Sequence, residues 1–144
     1  MTVKQLSVFV ENRPGRLSAV TETLANAGIN IRAVSIADTK DFGIMRIIVN
    51  DTDKAVAVLK ENSFIASAAN VIAVMAEDKP GSMASIMKTL YNENISVEYM
   101  YAAFLNKEKG NACLILRVDN NDAAADALKE SGCTLLTEQD IAEL

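Results

Sequence analysis

Residues 11–31 read ENRPGRLSAVTETLANAGINI, and residues 77–97 read EDKPGSMASIMKTLYNENISV. Displacing the chain by 66 residues aligns the Glu, Pro, Gly, Thr, Leu, Asn and Ile of these two stretches, and most apolar positions stay apolar. A displacement of 69 aligns DKAVAVLKE with DAAADALKE further along each half. Because a long repeat of this kind is one structural unit used twice, the sequence predicts two domains. Their expected boundaries are 1–70 and 71–144.

Within the first unit, the spacing of apolar residues changes along the chain. Leu6, Val8 and Val10 alternate with other residues, which predicts a strand. Helical spacing follows from Arg16 to Ala27, after a Pro-Gly loop. The remaining patterns predict two strands joined as a hairpin, a second helix and a short last strand, in the segments NIRAVSI, IMRIIVN, DTDKAVAVLKEN and FIASA.

The second unit predicts the same β-α-β-β-α-β order. Its segments are VIAVMA, SMASIMKTLYNE, ISVEYMYAAF, ACLILRV, NDAAADALKE and TLLTE. The difference of three residues between the two displacements falls in the hairpin, where TKDFG becomes the longer LNKEKG region. This order predicts an α+β fold of two ferredoxin-like repeats side by side, each with an antiparallel sheet and both helices on one face.

The third strand of each unit is apolar on both faces. One face is expected to pack against the helices, and its residues are Met45, Ile47, Val49, Leu114, Leu116 and Val118. The other face still carries Ile44, Ile48, Cys113 and Ile115. Because a sheet face in water is normally more polar than this, we expect another chain to cover it, as in a homodimer.

The composition excludes several classes of function. A net charge of −5 without a basic patch disfavours nucleic-acid and membrane surfaces. No apolar run approaches a membrane span, and no signal peptide is evident, so the expected location is the cytoplasm. The absence of histidine removes the commonest general base and metal ligand. Cys113 and Cys133 are expected to be small apolar groups, and we expect neither catalysis nor a metal or cofactor.

Each Pro-Gly loop lies between a strand and a helix. Gly15 and Gly81 let a ligand approach bare backbone, and the N–H groups of a helix start suit a carboxylate. Asn12 can both donate and accept hydrogen bonds, and its counterpart Asp78 can accept from an ammonium group. A single Pro-Gly turn that starts a helix commonly has only a structural role. Its duplication with polar neighbours favours an amino-acid site.

The stretch VENRPGRLSAVTETLANAGINI resembles the start of an ACT domain, the amino-acid-binding regulatory module of biosynthetic enzymes. It is most similar to the serine-sensing module of phosphoglycerate dehydrogenase, which also carries ENRPG followed by a GxNI segment. The second unit, with DKPG and NISV, resembles a more diverged ACT domain. Together the two resemblances cover nearly the whole chain.

The resemblance implies that paired ACT domains join through their second strands, with effectors bound at that interface. One site would use Asn12, Arg13, Pro14, Gly15, Arg16, Leu17, Ser96 and Val97. The other would use Asp78, Lys79, Gly81, Ser82, Met83, Asn30 and Ile31. Asn12 and Asn30 match the serine-sensing pattern, whereas Asp78 and Ser96 depart from it, so the two sites are expected to be unequal. Val10 stands where that family has a polar ligand contact.

The function predicted from these features is a non-catalytic sensor. It would bind an L-amino acid between its two units and act in trans on a partner enzyme or regulator. One alternative is an accessory subunit that mediates protein contacts alone. A small ferredoxin-like enzyme, or a metal or RNA module, is disfavoured because a general base, a CxxC motif and basic flanks are missing. Tyr99 and Tyr101 could line a pocket or pack at an interface.

Overall fold

The structure of the protein is a computed structural model with two compact units. The N-terminal unit holds Lys4–Ala69, and the C-terminal unit holds Asn70–Leu144 together with Met1–Val3. Each unit is α+β and ferredoxin-like, as the sequence predicts. The residues that the structure describes are 1–38, 41–103 and 110–144.

The N-terminal unit follows the predicted β-α-β-β-α-β order. Its elements are β1 (Val3–Glu11), α1 (Arg16–Asn26), β2 (Ile31–Asp38), β3 (Phe42–Val49), α2 (Thr52–Glu61) and the first part of β4 (Ile65–Glu77). The strands lie in the order β2-β3-β1-β4, and β3 is antiparallel to both β1 and β2. Gly28, with a φ of 71°, closes the turn after α1, as expected of a glycine at that position.

The C-terminal unit repeats this arrangement from the second part of β4 onward. Its further elements are α3 (Ser82–Asn92), β5 (Val97–Ala102), β6 (Asn111–Val118), α4 (Asn121–Glu130) and α5 (Glu138–Ala142). The strands lie in the order β4-β6-β5, and β6 is antiparallel to both neighbours. The expected last strand of the first unit and first strand of the second are therefore one continuous strand, β4.

The prediction that TLLTE forms the last strand is wrong, because only one residue of this segment pairs with the sheet. Leu135 makes an isolated bridge to Val74, and the chain then turns into α5, which the sequence reading missed. Thr137 ends the extended segment because it caps α5: its side chain accepts from the N–H of Asp140, and the Asp140 carboxylate accepts from the N–H of Thr137. Of the expected hairpin loops, residues 39–40 and 104–109 lie outside the described residues.

Each unit has its own apolar core between sheet and helices. The helix-facing prediction for the third strands is confirmed, because all six residues belong to these two cores. On the opposite face, Ile48, Cys113 and Ile115 are already buried within the single chain, whereas Ile44 is exposed. A second chain is therefore not needed to cover three of these four residues. The apolar residues that remain exposed on that face lie in the N-terminal unit.

Candidate ligand-binding site

The two Pro-Gly loops have the same backbone hydrogen bonds. In the first loop, the N–H of Asn12 donates to the carbonyl of Asp41 at 3.0 Å. In the second, the N–H of Asp78 donates to the carbonyl of Gly110 at 2.9 Å. Each loop is thus tied to the residue that stands just before the third strand of its unit. The repeat seen in the sequence is a repeat of conformation.

A glycine closes each loop in a left-handed conformation. Gly15 has a φ of 87° and Gly81 a φ of 91°, and no heavy atom lies within 4 Å of a Cβ built at either position. Glycine is therefore required at these positions by the left-handed backbone angle, whereas a side chain would have enough space. This angle turns the chain directly into the first residue of α1 or α3.

The cations of the two loops are paired with the ends of the preceding strands. Arg13 Nε lies 2.7 Å from a Glu11 carboxylate oxygen, and Lys79 forms the matching ion pair with Glu77. All four side chains are exposed, so the pairs contribute little to stability. They place one cation and one carboxylate beside each helix start.

The helices that follow the Pro-Gly loops have no side-chain cap. Neither α1 nor α3 has a capping side chain or an acidic residue in its first turn. In contrast, α2, α4 and α5 are capped by Asp51, Asn120 and Thr137 and carry acidic residues in their first turns. Because the first N–H groups of a helix lack intrahelical partners, α1 and α3 keep donors and a partial positive charge for an anion.

The second loop opens on a cavity of about 580 Å³ within the C-terminal unit. The loop and α3 contribute Lys79, Pro80, Gly81, Ser82, Ser85 and Ile86, and β4 contributes Met75, Ala76 and Glu77. The opposite wall is Asn111 on β6 together with Ser131, Gly132, Cys133 and Thr134, the turn that follows α4. The cavity therefore brings three of the predicted residues, Lys79, Gly81 and Ser82, together with a turn that the sequence reading did not include.

The N-terminal unit has the equivalent turn after α2. The N–H of Phe64 donates to the carbonyl of Leu59 at 2.9 Å, and the N–H of Cys133 donates to that of Leu128 at the same distance. The residue before each is left-handed, with a φ of 65° at Ser63 and 90° at Gly132. By the displacement of 69, Phe64 and Cys133 are equivalent residues.

What differs between the two units is the size of the side chains at this point. Arg16 stands where the second unit has Ser82, and its guanidinium lies 5.1 Å from the centroid of the buried Phe64 ring. In the C-terminal unit the same two positions are the small residues Ser82 and Cys133, and both line the cavity. The two loops therefore differ in side-chain size at equivalent positions, and the predicted inequality of the two ligand sites stays a prediction.

The other predicted site residues lie at the starts of β2 and β5, in Asn30, Ile31, Ser96 and Val97. The N–H of Asn30 donates to Asn50 Oδ1 at 2.9 Å, and the N–H of Ser96 donates to Asp119 Oδ1 at 3.2 Å. Both backbone donors are thus used within their own unit. The pairings of Asn12 with Ser96, and of Asp78 with Asn30, join residues of different units and stay predictions.

The two cysteines differ in burial, which leads to a testable difference in reactivity. Burial raises the pKa of the Cys113 thiol to about 12, whereas Cys133 is partly exposed at the cavity. We expect Ellman's reagent at pH 8 to label one thiol in the native protein and two after unfolding. Equally fast labelling of both native thiols would contradict the burial of Cys113.

The raised pKa of Cys113 also predicts a dependence of stability on pH. Since the pKa of this thiol in the folded protein lies above the ordinary 9.0, the thiol's contribution to the free energy of unfolding is lost as the pH rises from 9 towards 12.

Two kinds of feature are absent from the residues that the structure describes. Within ranges 1–38, 41–103 and 110–144, no three acidic or cysteine side chains are grouped to hold a metal ion. Over that same part of the chain, the helices are too short or too polar to span a bilayer.

The whole chain, residues 1–144, matches a family model described as an ACT domain pair. A solved protein from Bacteroides thetaiotaomicron is 41% identical over 100% of this chain and 98% of its own, with a TM-score of 0.93. The regulatory subunits of aspartate kinase from Thermus thermophilus and Thermus flavus share the fold at 15% and 14% identity. Those matches cover 89% and 90% of this chain and 91% and 92% of theirs, with TM-scores of 0.63 and 0.59. A comparison with curated proteins found no match.

Proposed function

Because this chain belongs to the family of ACT domain pairs, we propose that it is a non-catalytic regulatory protein that binds an L-amino acid. The observation that carries the proposal is the cavity beside the second Pro-Gly loop. Its volume of about 580 Å³ lies within the range of roughly 300–1,000 Å³ that is usual for small-molecule sites. The cavity therefore favours the C-terminal unit as the site of binding.

The lining of the cavity supplies groups for each part of an amino acid. The ligand carboxylate would accept hydrogen bonds from the N–H groups that follow Ser82 in the first turn of α3, since the N–H of Ser82 itself donates to the Lys79 carbonyl at 3.4 Å. The ammonium group would donate to the Glu77 carboxylate and the Asn111 amide oxygen. The ligand side chain would contact Ser85 and the turn at Cys133, a wall of small and mostly polar residues.

The loop of the N-terminal unit is the weaker candidate for a ligand. Phe64 and Arg16 pack together at the position that borders the cavity in the other unit. The sites implied across the two units, such as Asn12 with Ser96, remain part of the proposal.

The output of such a sensor would act in trans. We propose that the chain works in the cytoplasm as a homodimer and changes its contact with a partner enzyme of amino-acid metabolism when the ligand binds. By linkage, the partner must then change the affinity for the amino acid by the same factor. The regulatory subunits of aspartate kinase, which share the fold, are named as parts of an enzyme, and this supports an output of that kind.

Calorimetric titration with each of the twenty amino acids tests the proposal. We expect at least one of them to bind with a stoichiometry of one per chain, because the cavity that carries the proposal borders the second loop. No heat of binding for any amino acid at millimolar concentration would contradict the proposal. That outcome would favour the alternative of an accessory subunit without a ligand, for which the exposed apolar face of the N-terminal unit is the supporting observation.

A further inference from the structure

One sheet face of the N-terminal unit leaves large apolar side chains in solvent. Phe9 on β1 and Phe42 on β3 are 42% and 44% exposed. Ile44 on β3 is 36% exposed, and Ile65 at the start of β4 is 72% exposed. Phe9 lies opposite Ile44 in the sheet register, so that the four side chains form one surface, here called the Phe9 patch. The patch lies on the face opposite the helices, because the helix-facing neighbours Val8, Val10 and Met45 are in the core.

The Phe9 patch has a defined shape. The rings of Phe9 and Phe42 are in contact, with centroids 4.9 Å apart and planes inclined by 31°. Beside them is a shallow cleft of about 340 Å³ lined by Ser7, Phe9, Ile44, Ile65 and Ser67. The two rings stand beside an apolar cleft, so an apolar side chain of a partner can enter the cleft while the rings pack against the partner's surface.

The C-terminal unit shows that the fold itself does not require this exposure. The residues equivalent to Phe9, Phe42, Ile44 and Ile65 by the repeat are Met75, Asn111, Cys113 and Thr134. Of these, Asn111 and Thr134 are polar, and Cys113 is fully buried. The large apolar side chains are thus specific to one unit. A contiguous exposed apolar patch of several hundred Å² is typical of an interaction surface.

The charge pattern of the face indicates which partner fits it. Among the side chains that β1, β3 and β4 place on this face of the N-terminal unit, the charged ones are Glu11 and Arg46, whose opposite charges cancel. Two copies of a chain with net charge −5 repel each other, and a neutral face is where they can meet with the least repulsion. A strongly charged partner would find no excess of the opposite charge here.

The size of the patch is sufficient for the centre of a dimer contact. With about 150–250 Å² for each aromatic side chain, the exposed fractions correspond to roughly 300–400 Å² of apolar surface on four residues. A two-fold contact buries this surface on both copies, about 600–800 Å². The polar rim around the patch has to supply the remainder of the roughly 1,200 Å² that a stable interface needs.

We propose that the Phe9 patch is the contact between two copies of this chain. The proposal rests on the homodimer proposed above and assigns its surface. Because the contact is isologous, each substitution acts twice, once on each copy. Burying a carboxylate at the centre without a partner should therefore weaken the dimer by at least about a hundredfold.

Light scattering during size exclusion tests the assignment. We expect a mass of about 31 kDa for the wild type, twice the 15.5 kDa of one chain, and 15.5 kDa for Ile65→Glu and for Phe9→Ser. Tyr91→Glu is the control, since Tyr91 is 80% exposed on α3, outside the patch, and its variant should stay dimeric. Circular dichroism shows whether each variant is folded. Ile65 is the main test position because a side chain that is 72% exposed contributes little to the folding of the monomer.

Two results would overturn the assignment. One is a wild-type protein that is monomeric at high micromolar concentration. The other is a dimer that survives both patch substitutions, or that Tyr91→Glu dissociates as readily. These results leave the amino-acid titration unaffected, because the cavity is in the C-terminal unit and the patch is in the N-terminal unit. Failure of one proposal is therefore distinguishable from failure of the other.

Discussion

The double substitution Ser82→Arg and Cys133→Phe is expected to abolish amino-acid binding. The double variant places at the second loop the two side chains that stand in contact at the first, Arg16 and Phe64. Their bulk would occupy the cavity and cover the N–H groups at the start of α3. Losing two charge-assisted hydrogen bonds at about 1.5–3 kcal/mol each weakens binding by more than about a hundredfold. Calorimetric titration with the amino acid that binds the wild type measures the loss.

Two further variants separate binding from folding. Arg16→Ser makes a comparable change at the first loop, away from the cavity, and should leave the affinity within about twofold. Ser85→Glu adds a negative charge to the first turns of α3, which favours the helix but repels a ligand carboxylate. It should weaken binding without lowering the free energy of unfolding. Unchanged affinity in the double variant would exclude the cavity as the binding site.

The largest effects on stability are expected at two leucines that the repeat makes equivalent. Leu59 on α2 and Leu128 on α4 are both fully buried, each in the core of its own unit. Substituting either by alanine removes packed methyl groups and leaves a cavity, at a cost of about 2–5 kcal/mol in the free energy of unfolding. Urea unfolding followed by circular dichroism measures this cost for each variant.

Leu17→Ala and Met83→Ala are the matched controls. These residues are also equivalent in the repeat, lie in the first turns of α1 and α3, and are 41% and 45% exposed. Their substitution should change the free energy of unfolding by no more than about 0.5 kcal/mol. A cost below about 1 kcal/mol at Leu59 or Leu128 would mean that the side chain is less well packed than its burial indicates.

The fold follows closely from the sequence because local and long-range signals agree. The alternation of Leu6, Val8 and Val10 places all three in one core, and the helical spacing of Val20 and Leu24 does the same on the facing helix. The repeat then doubles the evidence for each element, and Asp51 caps α2 as its position predicts. Local propensity, apolar pattern and capping residues thus all specify the same fold.

The parts that the sequence reading missed depend on contacts rather than on periodicity. The segment at Leu135 has the composition of a strand, but only one bridge forms before the Thr137–Asp140 cap starts a helix. A capping box of this kind could have been recognised from its spacing. The sequence predicts the segments FIASA and VIAVMA as two strands, but they form one strand, β4, because no glycine or proline between Phe64 and Val71 interrupts it.

The cavity could not be predicted because it depends on the size of two side chains brought together by folding. Ser82 and Cys133 lie 51 residues apart in the chain, and neither is unusual by itself. The signal that could have revealed them was the repeat: Arg16 and Phe64 are much larger than their counterparts. Comparing the two halves position by position for side-chain volume would have pointed to a difference in packing.

A nuclear magnetic resonance titration of the ¹⁵N-labelled protein tests the central claim most directly. The amino acid that shows binding by calorimetry would be added while the backbone amide signals are followed. We expect the largest shifts at Gly81, Ser82, Gly132 and Cys133, with small shifts at Gly15 and Phe64. Largest shifts at the first loop, or no localised shifts at all, would contradict it.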